Sequence, residues 1–373
     1  MAGPTYDFPV TRLGEIMQPE PGRPKEAWGV LNPGGVRGPD GALHLFPRVI
    51  AEGNYSRIAH ARVIFESGRP VGVERLGMAL EPREPYEVNH GGGGVEDPRV
   101  VYIPILKRFV MTYTAFVPYE PKIAVAVSED LETWQRLGVL RYKRTKRAGP
   151  LELTGNKDGA FFPSAVLDPN GVPSFAIMNR PTARVHLQFG SSEIILPPKG
   201  LLKHESIWIS YVPVDAVLAD IANITNVGDH EQLLSPQAPW EQVKIGTGTP
   251  PVRLPGGWLV PYHAVSGEGA ERRYCMAVAL LDLERPSKVL YRSPRPILEP
   301  DTDYERTGLV ANVIFPSTAD LRADNTLDVY YGAGDRVIAA ARVGLPSELL
   351  RSASGQSPTH VSSGGGSYLG SGP

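Results

Sequence analysis

Residues 94–103 read GVEDPRVVYI. An acidic pair meets a proline, and the chain then enters a run of valine, tyrosine and isoleucine, residue types that suit a pleated, half-buried strand. Related stretches recur: NPGGVRG (32–38), DPRVVYI (97–103), FPSAVLD (162–168), PPVRLPG (250–256) and FPSTADL (315–321). Their prolines, Pro33, Pro98, Pro163, Pro251 and Pro316, are spaced by 65, 65, 88 and 65 residues. A second strand-like run follows each: GALHLFPR (41–48), RFVMTYTA (108–115), GVPSFAIMNR (171–180), GWLVPYHA (257–264) and TLDVYYGAGD (326–335). Three intervening turns are PDG, PNG and PGG, whose proline and glycine supply the backbone angles of a chain reversal.

A repeat of this length built from short strands fits a propeller blade, because a lone four-stranded sheet cannot bury its own faces. Five recurrences predict an all-β, five-bladed β-propeller. One or two β-sandwiches would explain the strands but not the even spacing. Further strands are expected at 58–65, 122–128, 206–212, 274–282 and 336–343. The long third interval places an insertion within 182–242, where DAVLADIAN (215–223) has helical character; PSELLR (346–351) is another helix signal. The fifth repeat starts at Pro316 with too little chain left for four strands. Residues within 3–31 are therefore expected to close the ring. This makes 1–351 one domain and the Ser/Gly-rich segment 352–373 a disordered tail.

Composition narrows the function. With 38 Lys+Arg against 40 Asp+Glu the net charge is −2, which provides no general field for nucleic acid or a membrane surface. The 40 glycines and 37 prolines fit many turns. The single Cys275 allows no intrachain disulfide and no cysteine-based zinc site. Histidines and carboxylates are scattered without metal-ligand spacing, so no metal is expected. MAGPTYDFPV lacks the basic-then-apolar order of a signal peptide. The longest apolar run, 274–281, is too short for a bilayer. A soluble, cytoplasmic protein is expected.

In a propeller the first strands of all blades converge, so equivalent positions far apart in sequence meet. Near the aligned prolines stand Asn32, the Glu96-Asp97 pair and Lys157-Asp158; the next strands end in Arg48, Thr114, Asn179-Arg180, His263 and Asp335. Polar groups terminating apolar strands are costly in a core, and their recurrence points to one central polar site. NHGGGGVEDPR (89–99) lets backbone approach closely at its glycines, but it lacks the lysine and helix start of a phosphate-binding loop. Taken alone, Asp97 would equally suit an Asx-turn or an ion pair with Arg99.

The ordered set GVLNPGGV, GVEDPRVV, NKDGAFFP, NRP, SIWISY, KIGTGTPPVR, GWLVPYHAV, YERTGLVANVIFP and VYYGAGD resembles glycoside hydrolase family 130 across roughly residues 25–345. That family comprises inverting β-mannoside phosphorylases and β-mannosidases on five-bladed propellers. The resemblance implies that Asp97 is the general acid, protonating a mannosyl hydroxyl that passes its proton to the leaving oxygen. Arg180, Lys244, His263 and Tyr274 stand where it puts ligands of phosphate, the co-substrate; no further cofactor is implied. Asn32, Arg48, Lys157, Asp158 and Asp335 fit sugar-binding or site-shaping positions. Asn179 stands where many of the phosphorylases carry histidine, and would hydrogen-bond phosphate or sugar. The implied activity is inverting phosphorolysis of β-mannosides to α-mannose 1-phosphate, with β-mannoside and phosphate as partners; a homo-oligomer is compatible with it. An inverting β-mannosidase is the alternative. It needs a second carboxylate roughly 6.5–9.5 Å from the acid, for which Glu268, Glu271 and Glu305 are candidates. A non-catalytic carbohydrate-binding propeller is a third reading.

Overall fold

The protein was analysed as a computed structural model that describes residues 5–88, 91–116, 120–143, 151, 154–182, 185–189, 192–196 and 204–351. The expected tail, 352–373, lies outside the described residues. Among the described residues the chain is all-β with two short α-helices, Val214–Ala219 and Asp303–Arg306.

Five four-stranded antiparallel units follow one another along the chain. Unit one comprises Gly29–Arg37, Leu43–Ala51, Tyr55–Glu66 and Arg69–Leu80. Unit two comprises Gly93–Ile103, Arg108–Phe116, Pro121–Ser128 and Gln135–Val139. Unit three comprises Asn156–Phe161, Pro173–Pro181, Ile207–Pro213 and Asn226–Leu234. Unit four comprises Lys244–Thr247, Gly257–Ser266, Arg273–Leu281 and Val289–Arg292. Unit five takes Ile314–Leu321, Thr326–Ala333 and Val337–Gly344, and its fourth strand is Val10–Met17 from the N-terminus. The strand expected within 3–31 is thus observed, antiparallel to Val337–Gly344.

Inner strands are buried on both faces, as stacked sheets demand. The core is divided among five apolar clusters, and each joins two successive units. Phe46 and Ile58 meet Val100 and Met111. Val110 and Val125 meet Phe175 and Ile177. Met178 and Ile209 meet Trp258 and Val260. Leu259 and Val278 meet Val329 and Tyr331. The fifth cluster returns to the start, with Tyr330 and Ile338 against Val30 and Leu45. The long third interval carries the hairpin Val185–Phe189/Ser192–Leu196 and the helix Val214–Ala219. At 346–351 the chain makes turns rather than the expected helix; Leu349 and Leu350 donate to the Pro346 and Ser347 carbonyls.

The proline repeat needs one correction. Pro33, Pro98 and Pro316 lie at breaks in register of their first strands, where two residues face one. Pro251 lies in the gap between Lys244–Thr247 and its continuation Val252–Leu254. Pro163 lies beyond the end of Asn156–Phe161, whose bulge is at Asp158-Gly159. Glycine can replace proline there because what the bulge requires is the residue before it. Asn32, Asp97 and Asp158 all adopt left-handed backbone, at φ 44°, 47° and 57°, a conformation Asn and Asp tolerate better than other side chains. A bulge re-aims the side chain it carries.

Units one and two are fused where Tyr55 and Ser56 pair in parallel with Gly93 and Gly94. Gly94 has φ +115°, and a Cβ there would press on the Ser56 carbonyl. The glycine run therefore serves close packing of two backbones just ahead of Glu96 and Asp97.

Units two, four and five share a buried glutamate clamp. Glu87 accepts from Tyr113 Oη at 2.6 Å, Arg136 and two backbone N–H groups. Glu241 accepts from Tyr262 Oη at 2.8 Å, Arg292 and two backbone N–H groups. Glu305 accepts from Tyr331 Oη at 2.8 Å, Arg12 and two backbone N–H groups. The tyrosine lies on the second strand and the arginine on the fourth, so each clamp spans its unit. Unit one retains Glu26 with Arg75.

Candidate active site

Register explains which side chains gather. Arg48 pairs with Leu31, Thr114 with Glu96, Arg180 with Lys157 and His263 with Gly246. Arg48, Thr114 and Arg180 are equivalent, each paired just ahead of a bulge, and His263 takes the corresponding place in unit four, next to Tyr262 as Thr114 is to Tyr113. The first strands carrying Asn32, Asp97 and Asp158 also touch one another across units.

On the side of units one and two, Asn32 Nδ2 donates to Asp97 Oδ1 at 2.8 Å and Arg48 Nη1 to the same oxygen at 3.2 Å. Arg48 Nη2 donates to Glu96 Oε1 at 2.7 Å, and Arg48 Nε to Ser56 Oγ at 3.0 Å. Lys157 Nζ lies 3.8 Å from Glu96 Oε2 and 5.2 Å from the Phe116 ring centre. Gly332 leaves room for Asn32, whose Oδ1 a Cβ there would overlap. Burial pushes the Asp97 carboxyl up, but Arg48, Lys157, Arg99 and the Asn32 hydrogen bond outweigh it and hold the group below the usual carboxylate range. Asp335 behaves oppositely: burial, with Asp97 and Glu96 nearby and against the pull of Arg48, pushes it up to about 6.

On the side of units three and four, Arg180 Nε donates to Asp158 Oδ2 at 2.5 Å and its Nη1 to Glu205 Oε2. His263 Nε2 lies 3.6 Å from Asp158 Oδ2, and among the described residues neither ring nitrogen has a hydrogen-bond partner. Burial pushes His263 down to about 3, so the ring is neutral. Gly246 admits this contact, since a Cβ would collide with both Asp158 and His263. Lys244 Nζ lies 5.6 Å from the Tyr274 ring centre. Burial and the neighbouring Arg180 push Lys244 down to about 8. Burial raises the Tyr274 phenol, with Asp335 adding to it.

Arg99 ties the two sides together. It is 1% exposed. Its Nη1 donates to the Asp97 carbonyl at 2.8 Å and its Nη2 to the Thr247 carbonyl at 3.2 Å; Nε donates to the Gly248 carbonyl. Arg99 therefore does not pair with the Asp97 carboxylate. It fixes the backbone of unit two against unit four and leaves that carboxylate to Asn32 and Arg48.

Of the residues expected in the site, Asn179 is not brought to it. It is fully buried, accepts from Asn156 Nδ2 at 3.1 Å and donates to Ser210 Oγ at 3.1 Å. Neighbouring strand residues face opposite ways, so Arg180 faces the cluster and Asn179 the interior of its sheet, at the position held by Tyr113, Tyr262 and Tyr331 elsewhere. Glu305 is a clamp residue, and Glu268 and Glu271 are exposed around the turn Gly269–Glu271. Glu205 and Arg99 are the site residues that sequence reasoning missed. Glu205 belongs to no regular repeat position, and nothing in sequence links Arg99 to carbonyls in unit four.

The cluster sets a buried carboxylate and its holders opposite Arg180, Lys244 and a neutral imidazole. Such a site can deliver a proton on one side and bind an anion on the other. The model of glycoside hydrolase family 130, described as beta-1,4-mannooligosaccharide phosphorylase, matches residues 9–350. A 1,2-beta-oligomannan phosphorylase of Thermoanaerobacter sp. (strain X514) is 29% identical over 81% of this chain and 86% of its own. A beta-1,2-mannobiose phosphorylase of the same organism is 31% identical over 68% of each chain. Among solved structures, beta-1,2-mannobiose phosphorylase from Listeria innocua superposes with a TM-score of 0.68 at 24% identity, covering 91% of this chain and 98% of that one. Among the described residues no group of three or more potential metal ligands occurs, and no helix is long and apolar enough to cross a membrane.

Proposed function

Because the chain belongs to glycoside hydrolase family 130, we propose that it cleaves β-mannosides by phosphorolysis, with inversion, to α-mannose 1-phosphate. Relatives named as β-mannoside phosphorylases over most of the chain support this activity. The observation that carries the residue roles is the split cluster: Asp97 held by Asn32 and Arg48 on one side, Arg180, Lys244, His263 and Tyr274 on the other.

Asp97 is the general acid. Its proton passes through a mannosyl hydroxyl to the leaving oxygen while phosphate attacks the anomeric carbon from the opposite face. Arg180 offers fork donors to the phosphate oxygens and Lys244 a compact charge. His263, neutral and with no hydrogen-bond partner among the described residues, donates one N–H without adding a cation. Tyr274, whose ring lies by Lys244, offers its hydroxyl to the phosphate. Arg48, Lys157 and Asp158 orient the two halves, and Asn32 and Asp335 face the sugar. The chemistry is a proton relay of two transfers and one displacement, so phosphate is the co-substrate and no cofactor is called for.

The five units with five shared cores, closed by Val10–Met17, support a five-bladed β-propeller as one domain through residue 351. A cytoplasmic address suits a phosphorylated product that does not readily leave a cell. Assaying β-mannobioses and mannosyl-glucose with and without phosphate tests the activity: mannose 1-phosphate should appear only with phosphate. Equal release of mannose in both would establish hydrolysis instead.

A further inference from the structure

Resting on the phosphorylase reading, we propose that Glu205 is a built-in competitor of phosphate: its carboxylate holds Arg180 in the free enzyme, leaves when phosphate arrives, and so sets the affinity for the co-substrate.

Arg180 is held by two carboxylates of unequal standing. Asp158 has a side chain 1% exposed, sits on a bulge and also faces His263. Glu205 has a side chain 23% exposed and sits in the irregular chain just ahead of Ile207–Pro213. The first is fixed by its surroundings, whereas the second can exchange with solvent. The backbone around Glu205 is nevertheless anchored to the phosphate side, since Ile245 N donates to the Glu205 carbonyl at 3.1 Å and Glu205 bridges Lys244. The carboxylate thereby faces both Arg180 and Lys244.

The charges make the exchange necessary. Arg180 and Lys244 are matched by Asp158 and Glu205. A phosphate dianion added to that set meets a like charge on the guanidinium it needs. Carboxylate and phosphate oxygens use the same fork of donors, so the two anions exclude each other at Nη1. When Glu205 swings toward solvent, Arg180 is released to phosphate while Asp158 keeps it oriented.

The test is titration of inorganic phosphate into the full chain by calorimetry, with the steady-state KM for phosphate and the thermal midpoint measured alongside. Glu205→Gln removes the charge and keeps the shape. It should lower both Kd and KM for phosphate by about two- to fivefold, the range of a partly exposed ion pair. Glu205→Asp keeps the charge and should stay nearer the wild type than Glu205→Gln does. A packing role would move the midpoint in both variants without sharpening phosphate binding. Unchanged or weaker phosphate binding by Glu205→Gln overturns the inference, even if mannose 1-phosphate is made. Tighter binding with no mannose 1-phosphate from any β-mannoside leaves the competitor role standing and overturns the proposed function.

Discussion

Asp97 is ionised in the free site, because Arg48, Lys157 and Arg99 outweigh its burial. As the proposed general acid, Asp97 must take up a proton before it can give one. Asp97→Asn keeps the size and the Asn32 contact but has no proton to give. It should reduce kcat by about 10²–10⁴-fold and leave the thermal midpoint nearly unchanged, as turnover assays and a melting curve will show. Lys244 gives a pH signature. In the proposed role it holds phosphate only when charged, and burial beside Arg180 holds it at about 8. The kcat/KM for phosphate should therefore fall as pH rises through about 8, and Lys244→Arg, charged throughout, should move that limb upward. Asp97, Arg48 and Lys157 stood out in sequence as polar side chains at the aligned prolines or strand ends, whereas Lys244 came only from the family resemblance. Asn179 misled because a one-residue offset reverses the face, and the register that fixes the offset is visible only once the bulge at Asp158 is seen. Arg99 looked like a partner of the Asp97 carboxylate, whereas its guanidinium reaches the carbonyls of Thr247 and Gly248.

The bulges and the glutamate clamps are the elements that position the site. Strand and turn chemistry made most strands readable, but the proline alignment drifted at Pro163 because proline marks the bulge only in some units. The clamp was the more faithful repeat: its glutamate precedes the tyrosine by 26, 21 and 26 residues in units two, four and five, and the arginine by 49, 49 and 51 residues in units one, two and four. Glu305→Ala would strand Arg12 and two backbone N–H groups, and should cost about 3–5 kcal/mol. Tyr331→Phe removes one hydrogen bond and should cost about 0.5–1.5 kcal/mol. Urea unfolding of the two variants checks both values and their order. Gly94→Ala meets both an unfavourable φ and the Ser56 carbonyl, and should cost about 1–3 kcal/mol while shifting Asp97 enough to lower kcat.

For the whole molecule, the fifth unit is completed by Val10–Met17, which covers Val337–Gly344 and supplies Arg12 to Glu305. Need for an N-terminal strand could be seen in sequence by counting strands, though not which residues would serve. Deletion through Met17 should expose an apolar sheet edge; size-exclusion chromatography should then show aggregation, and unfolding should lose cooperativity. The relatives named above carry 1,2-linked names and the family description a 1,4-linked one, so the linkage cleaved is open to assay. The most direct test of the account is phosphorus NMR of the enzyme with β-1,2- and β-1,4-mannobiose and inorganic phosphate, alongside Asp97→Asn. The account predicts an α-mannose 1-phosphate signal that grows as inorganic phosphate is consumed, and none with Asp97→Asn. Free mannose accumulating equally fast without phosphate, or an undiminished signal from Asp97→Asn, would contradict it.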